Sequence, residues 1–136
     1  VPLWNIKELQ GKSHEEWTYR KYFMTQNYLF PCNFVQIMTD HVYVHSIIPT
    51  GPGTCVFKCM MLISEPANTD KAEQYWEKNY NVVKEVFNED FEIGEAIQAG
   101  LSTNVNDTFV FGKYECGLHW GQQAIDDALD GRLKAS

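Results

Sequence analysis

The chain has 136 residues, 44% of them hydrophobic and 14% aromatic, enough for one domain with a buried core. A net charge of −7 excludes a surface rich in Lys and Arg, so no nucleic-acid partner is expected. No apolar run approaches the roughly 20 residues that span a bilayer, and no signal peptide opens the sequence; no membrane partner is expected, and the chain is read as cytoplasmic.

The first fifteen residues are polar with scattered aromatics, and "SHEE" (Ser13 to Glu16) fits a capping box over one helical turn. From Trp17, "WTYRKYFM" is rich in aromatics and reads as strand-like. "NFVQIMT" (Asn33 to Thr39) alternates, with Phe34, Gln36 and Met38 opposite Val35 and Ile37. "HVYVHSII" (His41 to Ile48), the breaker-rich "PTGPGT" and "CVFKCMMLIS" (Cys55 to Ser64) follow as strand, tight connection and return strand, an antiparallel meander. "EPANTD" carries helix-start signals, with Asn68, Thr69 or Asp70 as N-cap. An amphipathic helix then runs to about Phe87 and could continue, with a bend, to Ala99, where Gly100 is a natural stop. "TFVFGKYE" (Thr108 to Glu115) reads as a further strand. Leu118, Trp120, Ala124, Ile125, Ala128 and Leu129 mark one face of a last helix that Gly131 ends. The expected class is α+β: a curved antiparallel sheet of five or more strands packed around a long helix, helix-grip-like. Tyr75, Trp76, Val83 and Val86 should be mostly buried against its concave side.

None of the four cysteines, Cys32, Cys55, Cys59 and Cys116, forms a C-x-x-C pair. Cys55 and Cys59 would lie roughly 13 Å apart along one strand, too far to bridge. All four are read as reduced thiols. Of the four histidines, His41 and His45 share a strand face at a similar separation, a poor pair for one metal ion. They are read as sheet residues, with His45 a candidate for a pocket lining. His14 is read as solvated. Glu115 and His119 have i, i+4 spacing, a weak metal-binding signal on its own.

The sharpest feature is an acid on the greasy face of the long helix. Ala72, Tyr75, Trp76, Tyr80, Val83, Val86 and Phe87 fall on one 3.6-residue stripe, and Asp90, Ile93 and Ile97 continue it. A buried carboxylate persists only if it is paired, hydrogen-bonded, protonated or bound to a cation. Two readings stand at this point. The helix could end near Asn88 and leave Asp90 to cap a second helix in water, or Asp90 could aim into a cavity where a metal or base meets it. Glu89, Glu92 and Glu95 fall largely off the stripe and are read as solvated; Gln98 could hydrogen-bond near such a cavity.

"NEDFEIGEAIQAGL" (Asn88 to Leu101) followed by "FGKYECGLHW" (Phe111 to Trp120) resembles the C-terminal catalytic domain of Rieske-type non-haem iron oxygenases, the alpha subunits of aromatic-ring-hydroxylating enzymes. "TDHVYVHSIIPTGPG" (Thr39 to Gly53) and the Tyr75–Trp76 pair fit the same domain, so the resemblance spans about Tyr28 to Leu129. It implies that Asp90 is the carboxylate of a 2-His-1-carboxylate iron site, and that Tyr80, Val83, Val86 and Phe87 form part of a substrate wall. It further implies Fe(II) in the complete catalytic domain and an apolar or aromatic small-molecule substrate hydroxylated with O2. Electrons would come from a 2Fe-2S Rieske cluster and ultimately NAD(P)H, through a reductase or ferredoxin, and the chains would form a homo-oligomer.

This sequence departs from that pattern in two ways. The family's paired iron histidines lie upstream of the acid motif on a helix, and no such pair is present here. A Rieske cluster needs both a C-x-H and a C-x-x-H pair; C-x-H does not occur, and Cys116–His119 is a lone C-x-x-H, so the chain is read as carrying no Rieske domain. Residues 1–136, which start at Val1, are accordingly read as a single domain, the C-terminal part of the catalytic domain. The alternatives are a non-catalytic helix-grip module that binds an apolar ligand, or an assembly subunit.

Overall fold

The computed structural model describes residues 3–105 and 108–133. The chain folds as two compact units, Val1–Ser64 with Lys113–Ser136, and Glu65–Gly112.

The first unit opens with two 3-10 turns, Trp4–Leu9 and His14–Glu16. The second turn closes as the capping box expected from SHEE. The Ser13 backbone N–H donates to the Glu16 carboxylate at 2.9 Å, and the Ser13 hydroxyl donates to the same oxygen at 3.1 Å. Those two bonds hold the Glu16 carboxyl below its usual range. The aromatic run after Trp17 is not a strand. It folds into a single helical turn, α1 (Tyr19–Tyr22), closed by the Phe23 N–H donating to the Tyr19 carbonyl at 2.8 Å. Its rings pack locally instead of across a ladder, with Trp17 and Phe23 stacked at 5.9 Å and Tyr19 and Phe23 at 5.6 Å. Aromatic enrichment signals a half-buried surface, and a tight turn satisfies that as well as a strand does.

Four strands follow as an antiparallel meander in the order β1 (Thr25–Leu29), β2 (Asn33–Ile37), β3 (His41–Gly51), β4 (Thr54–Ile63). The three segments expected from alternation at Asn33, His41 and Cys55 are all present. β3 and β4 pair from His41↔Ile63 to Gly51↔Thr54, leaving Pro52 and Gly53 as a two-residue turn. A register shift between Pro49 and Gly51 bulges this hairpin near its tip. β2 pairs with β3 as far as Ser46. Pro49 therefore lies beyond β2, where its missing N–H removes no bond to that neighbour.

Among the described residues the fully buried ones are Leu9, Tyr22, His41, Tyr43 and His45, all in the first unit. α3 (Cys116–Leu129) belongs to the same unit, and its Gly121 sits against Tyr28 of β1. A Cβ at Gly121 would meet the ring at 3.3 Å, so the missing side chain is what admits the close approach. Gly131 follows α3 in the left-handed region, φ 68°, a regular C-terminal stop.

The second unit is dominated by α2 (Asp70–Leu101), 32 residues long and so about 48 Å. Thr69 caps it, its hydroxyl accepting from the Ala72 N–H at 3.2 Å, and Asp70 and Glu73 occupy the first turn where the helix dipole favours acids. The helix passes Asn88, Gly94 and Gly100 without a break. Two expectations fail in this unit. No residue of α2 is buried: Tyr75 and Val86 are about half exposed, and Trp76 and Val83 are half-buried. The periodicity fixes which face is apolar but not how far that face is covered. The strand expected at Thr108–Glu115 is also absent. Residues 108–112 are irregular, a turn occupies 113–114, and Phe109 and Val110 are largely exposed. β-propensity without a partner strand does not make a strand. The sheet thus has four strands among the described residues rather than five, and the α+β class stands.

Candidate functional site

Asp90 lies within the unbroken α2, eleven residues before its last residue, Leu101. Its role as N-cap of a second helix is thereby excluded, because a cap residue has non-helical backbone. Its side chain is exposed. On the helical period it shares a face with Val83, Val86, Ile93 and Ile97, as expected. Phe87 and Phe91 flank it, stacked at 5.9 Å with ring planes 17° apart. Of the expected substrate wall, Val83 and Phe87 are half-buried while Tyr80 and Val86 are exposed. A groove on α2, about 400 Å³, is lined by Gln74, Glu77, Lys78, Asn81, Val82 and Glu85. Those positions fall on the opposite side of the helical period from Asp90. Gln98, Glu89, Glu92 and Glu95 are exposed.

The histidines are dispersed. His41 and His45 are buried in β3 as sheet residues, and with Tyr43 between them they form one column of rings. His41 meets Tyr43 edge-on at 4.7 Å, Tyr43 stacks on His45 at 5.8 Å, and His45 stacks on Phe57 of β4 at 5.5 Å. Buried polar rings need partners. His41 Nδ1 lies 2.6 Å from Asp40 Oδ1, and His45 Nε2 donates to Gln36 Oε1 at 3.3 Å. The Gln36 amide nitrogen faces Met24 Sδ at 2.7 Å, which leaves its oxygen for the imidazole. With no carboxylate in that set, burial pushes the His45 pKa down. Alternation in HVYVHSII does not say which face is core. The structure sets His41, Tyr43 and His45 deeper than Val42 and Val44. His14 is exposed and rests on Trp17 at 4.3 Å. Glu115 and His119 are exposed at the start of α3.

An iron triad needs three donors converging on one point. Among the described residues no three His, Cys, Asp or Glu side chains gather in that way. The donor set of these residues does not fit a complete iron site; Asp90 offers one carboxylate. All four cysteines are free thiols, Cys55 and Cys116 exposed, with Cys59 raised in pKa by burial. No helix among the described residues is long and apolar enough to cross a membrane.

The fold class is α+β, an antiparallel meander followed in the sequence by a long helix. The family model described as ring hydroxylating alpha subunit (catalytic domain) matches residues 3–131, nearly the whole sequence. The chain belongs to the family of ring-hydroxylating alpha-subunit catalytic domains. No curated protein and no solved structure matches it significantly.

Proposed function

We propose that residues 1–136 are the C-terminal part of one oxygenase catalytic domain, and that Asp90 supplies the carboxylate of its 2-His-1-carboxylate iron site. Family membership supports an oxygenase-type function in general. The observation that carries the finer reading is the position of Asp90: a single acid on the apolar stripe of an unbroken helix, inside the motif that resembles the family's ligand motif. A carboxylate that must hold a metal beside an apolar substrate has to project from an apolar surface. Tyr80, Val83, Val86 and Phe87 then form part of the substrate wall, and the substrate is an aromatic or other apolar small molecule. The two histidine ligands come from outside this chain, as do the Rieske cluster and the reductase or ferredoxin that deliver NAD(P)H-derived electrons. The working protein is a cytoplasmic homo-oligomer.

The test is Asp90→Ala in the natural polypeptide that carries this sequence. Iron content should fall to background and substrate hydroxylation should be lost. The far-UV circular dichroism should be unchanged, since Asp90 is exposed on its helix. A variant that keeps stoichiometric iron and full turnover would refute the assignment.

A further inference from the structure

We draw no further inference here: the strongest candidate, the exposed apolar stripe of Val86, Ile93 and Ile97 along the long helix, carries nothing because nothing in the structure shows what covers it.

Discussion

Replacing His45 by phenylalanine should weaken the pH dependence of stability on the acid side. His45 is 2% exposed and is stacked between Tyr43 and Phe57, so a phenyl ring retains the packing and carries no proton. Burial depresses its pKa in the folded chain below the value of about 6.5 that it has when unfolded. As pH falls through that unfolded value, the unfolded chain takes up the proton first. The contribution of neutral His45 is therefore complete above about pH 6.5 and declines below it, by at most about 1.4 kcal/mol per pH unit for one proton. His45→Phe loses the bond to Gln36 Oε1, a cost of about 1 kcal/mol that is independent of pH. The variant should be the less stable protein near pH 8, and its deficit should shrink as pH falls toward 5. The His41–Asp40 pair is present in both proteins and cancels in the difference. Urea denaturation across that range reads the narrowing gap directly. Parallel curves, with a constant offset at every pH, would show that His45 is not the acid-sensitive group.

Tyr43→Ala should destabilise the chain by about 3–5 kcal/mol, as removal of a buried aromatic does; Tyr43 is 1% exposed, and a urea midpoint within error of wild type would contradict its place at the centre of the sheet. Cys55 and Cys116 should react with an aromatic disulfide reagent before Cys59, which is half-buried and whose thiol is raised by desolvation; mass mapping of the first labelled sites checks the order. The 136-residue chain by itself should retain less than stoichiometric Fe(II) after desalting, since no three candidate donors gather among its described residues; tight one-to-one binding would direct attention back to His41, His45 and His119.

The meander and the long helix were legible because each rests on a period written into consecutive residues. Val35 and Ile37 against Phe34 and Gln36 announce β2, and Thr69 before Asp70 and Glu73 announces the start of α2. Trp17–Met24 and Thr108–Glu115 were misread for a shared reason. Both are rich in aromatic and β-branched residues, and that composition describes a preferred surface rather than a partner. One run closes on itself as α1, and the other finds no neighbouring strand among the described residues. At the candidate site, the phase of Asp90 follows from helical spacing alone. The exposure of Tyr80 and Val86 could not be read that way, because periodicity carries no information about what lies across the face it marks. The inward face of β3 was equally hidden. There Asp40 and Gln36 meet two imidazoles, and the Gln36 contact is set by strand register rather than by local sequence.

The β3–β4 hairpin has a practical use that follows from where β2 stops. From Ile48 to Val56 the two strands pair with each other past the reach of β2, and every residue of that stretch is exposed. The register of Val42–Ser46 is held on both sides, by β2 and by β4. Extra residues placed between Pro52 and Gly53 would lengthen a turn that is already clear of the four-stranded part. Each doubling of such a loop costs only about 0.6 kcal/mol in closure entropy, and exposed turn tips are where insertions are best tolerated. The tip is therefore the natural address for an epitope, a fluorophore or a cross-linking handle that reports on the sheet from outside it.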